Sequence, residues 1–97
     1  MTSDVVDLIK KWVEHAQNDL NAAKKLLEEE GFIEIACYHA QQAAEKYLKA
    51  YLIWLGVEYP KTHALEKLID IIGQEDPDIE DLKVECAKLT PYAVAST

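Results

Sequence analysis

Three histidines, His15, His39 and His63, are the side chains from which acid–base or metal chemistry would have to start. They fall on three separate segments, and no HExxH or ExxH pair sets two ligands on one helix face. His15 with Asp19 is the one i,i+4 combination, which is too little for a metal site, so no metal is expected. Cys37 and Cys86 are too few and too far apart for a disulfide scaffold or a CxxC motif, and they read as plain buried thiols of a reducing interior. No P-loop, GxGxxG or GxSxG element occurs, so neither a phosphate-cradling loop nor a nucleophile elbow is present and no cofactor is expected. The ten basic residues are all lysines, which leaves no guanidinium for bidentate capture of phosphate. With 18 acids the formal net charge is -8, and DNA would meet net repulsion.

One constellation survives these exclusions. At about 100° per residue, His39, Gln42 and Lys46 share a helical stripe, and Asp19 lies beside Trp12 and Ala23 on the otherwise apolar face of an earlier helix. If the chain turns near Gly31 and Phe32, Asp19 falls level with residues 42 to 46. A polar cluster of Asp19, His39, Gln42 and Lys46 is therefore expected. It serves either as an ion pair and hydrogen-bond set that fixes helix register, or as a ligand or partner site. Asp19 is expected to pair with Lys46 or His39 across the hairpin, since a carboxylate on an apolar face needs a partner. His63, at or beside a predicted helix start, reads as a capping residue or a further ligand candidate, with the helix dipole favouring its neutral form.

The elements that must hold these residues are helices. From Asp4 to Glu30, Val5, Ile9, Trp12, Ala16, Leu20, Ala23 and Leu27 recur every three or four residues, behind a cap at Ser3. From Ile33 to Leu55 a second stripe runs through Ala36, Ala40, Ala43, Ala44, Tyr47, Leu48 and Tyr51. The two predict a long antiparallel hairpin. Its small centre, Ala36, Ala40, Ala43 and Ala44, admits a neighbouring backbone across the hairpin or across a dimer contact, with Tyr47 and Tyr51 alongside. Tyr47, Tyr51 and Trp54 read as core or interface aromatics. A third helix is expected from His63 to Ile72 with Thr62 as its cap, and a fourth opens at Asp76-Pro77 and carries Ile79, Leu82, Cys86 and Leu89 up to Pro91. Gly31, Gly56 and Gly73 each follow a helix-patterned stretch, as left-handed caps would. The exposed acids Glu28, Glu29 and Glu30, and those from Glu75 to Asp81, read as solvated faces or as a surface for a basic partner.

No alternating strand pattern, repeat or low-complexity linker interrupts this order, so the fold class is all-α, an up-and-down bundle of about four helices. Ninety-seven residues, 49% of them hydrophobic, suit a single domain with one core. The first residues carry acids where a signal peptide would be basic, and the longest uncharged apolar run, Ala50 to Leu55, is far short of the roughly 20 residues of a membrane span. A soluble, cytoplasmic chain is expected.

These residues also carry a resemblance. Trp12, Ala16 through Asp19 and Leu20, and Ala23 come first. The run Tyr38, His39, Ala40, Gln41, Gln42, Ala43, Ala44, Glu45, Lys46 follows, and then Thr62, His63, Ala64 and Leu65. In this order they resemble the HEPN domain over nearly the whole chain, and the middle run is the specific part. The resemblance implies a helical bundle that is usually a homodimer. Many prokaryotic members look like partners of minimal nucleotidyltransferases in toxin–antitoxin pairs, and nucleotide binding is a further family-level implication. Other members are metal-independent ribonucleases with an Arg-x(4-6)-His motif, in which arginine steadies phosphate charge and histidine moves protons. This chain has no arginine, and no lysine stands at that spacing before His39 or His63. A non-catalytic interaction module is the reading that follows, with a divergent ribonuclease as the alternative. The family's pattern continues beyond Pro91 and Tyr92 with a basic and aromatic stretch, so residues 1–97 read as one domain lacking its family's C-terminal segment.

Overall fold

A computed structural model describes residues 2–58, 61, 62, 64–83 and 88. Helix α1 spans Ser3–Leu27, α2 Ile33–Leu55 and α3 Leu65–Gly73, and a short 3-10 helix covers Pro77–Leu82. No strand occurs among the described residues, so the all-α architecture holds. α1 and α2 form the expected antiparallel hairpin. It dominates a molecule whose longest dimension is 44 Å.

Small side chains let the two long helices approach. Ala16 and Ala23 on α1, and Ala36 and Ala43 on α2, are each at most 4% exposed. Both pairs are seven residues apart, nearly two turns, so each lies on one stripe. With the turn at Gly31, Ala16 falls opposite the neighbourhood of Ala43, and Ala23 opposite that of Ala36. Tyr47 adds a bond across the hairpin, donating its hydroxyl to Gln17 Oε1 at 3.0 Å. Ala40 is only half-buried, and Ala44 packs instead toward α3.

The large apolar side chains are concentrated at the far end of α2. Leu48 and Leu52 pack with Leu65, Leu68, Ile69 and Ile72 of α3, and Ala44, Tyr51, Leu55, Val57, Ile71 and Ile79 close the cluster. The α2 terminus is shaped for this. Gly56 takes φ +73°, while the Gly56 and Val57 amides donate to Ile53 and Leu52 carbonyls, which is the Schellman arrangement with Val57 folded onto the core. The stripes run out toward the turn, where Leu27 is 60% and Ile33 66% exposed. Trp54 is 61% exposed, so of its two expected roles the core one does not hold.

Several terminal details differ from the expectations above. Thr2, rather than Ser3, caps α1, its hydroxyl accepting from the Val5 amide at 3.3 Å, and α1 ends at Leu27 rather than Glu30. Thr62 does not cap a helix starting at 63. Its hydroxyl accepts from the Ala64 amide two residues on, a local turn that delays α3 until Leu65. Pro77 holds the first position of the last element as expected, and that element opens as a 3-10 helix over Pro77–Leu82, with Lys83 after it in α-helical conformation. Cys86, Leu89 and Pro91 lie outside the described residues. Gly73 is not a left-handed cap, for its φ is not positive and it is the last residue of α3. A Cβ there would press on the Glu80 carboxylate, so this glycine leaves room for the end of the Glu80 side chain.

The 3-10 helix is tied down by polar contacts. Tyr51 donates to Asp76 Oδ2 at 2.8 Å, and Lys83 bonds Asp70 while lying 3.7 Å from Glu80. The bond to Asp76, with burial and the carboxylate's charge adding to it, raises the Tyr51 phenol above its ordinary value. The Asp70 bond likewise raises Lys83. Groups raised on folding stabilise below their unfolded pKa and lose that contribution as pH climbs through the folded value. These tethers should therefore hold at neutral pH and weaken only above about pH 10. In an alkaline titration followed by tyrosinate absorbance, Tyr51→Phe should remove a phenol that ionises above the ordinary range.

The glycines give a second expectation. Gly56→Ala, at φ +73°, should destabilise by about 1–2 kcal/mol. Gly73→Ala should be neutral or stabilise by up to about 1 kcal/mol, because the obstacle is the end of a flexible glutamate. Urea unfolding of the two variants measures the contrast.

Candidate functional site

α1 and α2 bring Asp19, His39 and Lys46 together. His39 and Lys46 are seven residues apart on α2, so nearly two turns separate them on one face. The Asp19 carboxylate sits between them from the opposite helix. Its Oδ1 accepts from His39 Nδ1 at 3.0 Å, and its Oδ2 accepts from Lys46 Nζ. This contact places the His39 proton on Nδ1 and leaves Nε2 as the free ring nitrogen. The three side chains are 15%, 29% and 23% exposed for Asp19, His39 and Lys46, so the cluster is partly shielded and opens to one side. Tyr38 meets the His39 ring edge-on, with centroids 5.3 Å apart.

Gln42 shares the stripe but not the bonding. Its amide donates to Gln41 Oε1 at 2.8 Å, while the two Asp19 oxygens bond His39 and Lys46. His63 lies outside the described residues. Asp19 is engaged by α2, and His15, four residues before it, is exposed. Cys37 is free and half-buried rather than buried.

Two features of the structure have no counterpart among the sequence expectations for the site. Gln41 and Glu45 are buried, 0% and 4% exposed, and Glu45 pairs with Lys49 at 3.5 Å. The i,i+4 spacing of that pair was a readable signal. Lys49 Nζ also lies 5.7 Å from the centroid of the Trp12 ring, within cation–π range. Beside it, Leu8, Lys11, Trp12 and His15 of α1 and Lys46 of α2 line a groove of about 210 Å³. Spacings of three and four along α1 were the signal for that groove, obscured because Leu8, Lys11 and His15 fall outside the principal apolar stripe.

A profile of the HEPN domain matches residues 9–97. The chain belongs to the HEPN domain family. No curated protein and no solved structure matches it. Among the described residues, no helix is long and apolar enough to cross a membrane.

The doubly engaged carboxylate has a measurable cost of removal. Charged hydrogen bonds contribute about 1.5–3 kcal/mol each, and partial exposure keeps the sum well below that of a fully buried ion. Asp19→Ala should destabilise by about 2–4 kcal/mol, more than Lys46→Met, because it strands two partners. A double-mutant cycle between positions 19 and 46, read by urea denaturation, should give a coupling energy of about 1 kcal/mol or more. A value of zero would show that the pair contributes nothing.

Proposed function

We propose that this chain is a non-catalytic HEPN interaction module: a cytoplasmic homodimer that pairs with a minimal nucleotidyltransferase in a toxin–antitoxin-like system. The observation that carries the reading is the use made of Asp19. His39 and Lys46 are both held by this one carboxylate, and the chain has no arginine. Exposed apolar side chains, among them Trp54 and Ile33, supply surface for association. Nucleotide binding at the Asp19, His39 and Lys46 cluster is the ligand-bearing form of the same reading.

One observation favours a second reading, a divergent metal-independent ribonuclease. A carboxylate on His39 Nδ1 orients the ring and leaves Nε2 to act, which is the geometry a general base at Nε2 requires. Lys46, the cation bonded to the same carboxylate as His39, is then not free to take phosphate charge developing in a transition state.

The purified chain should sediment as a dimer at tens of micromolar and leave total RNA and mixed oligonucleotides intact. It should also co-purify with the product of an adjacent nucleotidyltransferase gene when the two are expressed together. Cleavage that persists through purification and is lost in a folded His39→Ala variant would overturn the non-catalytic reading. A monomer whose melting temperature is independent of concentration would overturn the dimer.

A further inference from the structure

The groove beside Trp12 is chemically out of character with the rest of the molecule. In a chain of net charge -8, its wall carries Lys11 and His15 around the apolar surface of Leu8 and Trp12, beside Lys46 and Lys49, whose charges are met by Asp19 and Glu45. Lys11 and His15 have no hydrogen-bond or ion-pair partner among the described residues. Its volume, about 210 Å³, is of the order of one large apolar side chain. Such a groove fits an apolar anchor flanked by carboxylates.

The opposite end of the same hairpin presents that combination. Counting back along α2 from Lys46 in steps of three and four passes His39 and then Ile35, with Phe32 three residues before it at the turn. These positions lie on the helix face that Lys46 occupies. Phe32 is 43% and Ile35 46% exposed. The turn beside them carries Glu28, Glu29 and Glu30, all exposed and without an ion-pair partner among the described residues. One face thus has a cationic apolar groove at one end and an acidic apolar turn at the other. Residues 11 and 29 are about 27 Å apart along the helix axis.

We propose that two copies of this chain pair through this face with their hairpins antiparallel, the Glu28–Glu30 and Phe32 turn of each seated on the Leu8, Lys11, Trp12 and His15 groove of the other. A two-fold axis midway between the two ends, near Leu20, forms both contacts at once and closes the assembly at two copies. The proposal rests on the homodimer reading above and gives it a surface, an orientation and a charge code. It assigns no role to the alanine stripe in association, because Ala36 and Ala43 are already covered within the hairpin.

Charge reversal tests it. A groove variant, Lys11→Glu with His15→Glu, and a turn variant, Glu29→Lys with Glu30→Lys, alter exposed side chains only, and circular dichroism checks that both fold. Sedimentation of each alone should show dimerisation weakened by about tenfold or more relative to wild type, and Phe32→Ala should weaken it likewise. Mixing the two variants should restore dimers, because a mixed pair has one wild-type contact and one with both charges exchanged. If both variants dimerise like wild type, this contact is refuted while the homodimer stands. If they weaken but mixing restores nothing, the complementary pairing is refuted. Assembly growing beyond two copies would refute the two-fold arrangement. A monomeric wild type would refute the homodimer reading, and this contact with it.

Discussion

A single carboxylate, Asp19, sets how the two long helices lie against each other. It sits on an apolar face, where it is costly unless satisfied, and both of its oxygens are used by the other helix. Because His39 and Lys46 are nearly two turns apart, one oxygen for each fixes the axial position of α1 and its rotation together. A slide of one turn would leave one basic group without its oxygen. Alanines at positions 16, 23, 36 and 43 make the approach close enough for this, since larger side chains would hold the helix axes apart. The rest of the structure hangs from α2, whose other flank supplies Leu48 and Leu52 to α3.

The same arrangement constrains function. A histidine held through Nδ1 by a carboxylate is preorganised for proton transfer, yet the neighbouring lysine is neutralised by that carboxylate. The cluster therefore has the geometry of a site and the electrostatics of a structural clamp. HEPN membership is compatible with either use, and the absence of arginine tilts the balance toward the clamp.

The hairpin and the Asp19 pairing were legible in sequence because both follow from one period. A polar residue on an apolar stripe has few places to find a partner, and the turn at Gly31 set the level at which to look. Gln42 was misplaced by the same logic, for periodicity gives the face of a side chain but not which neighbour its amide reaches. Thr62 and Gly73 failed differently. A threonine before a helix can cap it or close a local turn, and a glycine at a helix end can be a left-handed cap or a point of close approach. Only the position of a third element, the Glu80 side chain for Gly73, decides between them. The groove at Trp12 went unread because it spans two helices and draws on residues outside either principal stripe.

The uneven distribution of side-chain size along α2 has its own consequence. Near Gly31 the helices meet through alanines, which make few contacts each, while near Leu52 the fully buried residues are leucines and isoleucines. Opening free energy should thus be graded along one continuous helix, low at the turn and approaching the global value near Leu52. Amide protons at the start of α2 would exchange through local fraying, and those around Leu52 only through unfolding of the whole bundle. A partner that settles on the turn would first protect the residues that exchange fastest, so its arrival would register as slowed exchange where the unbound chain is least protected.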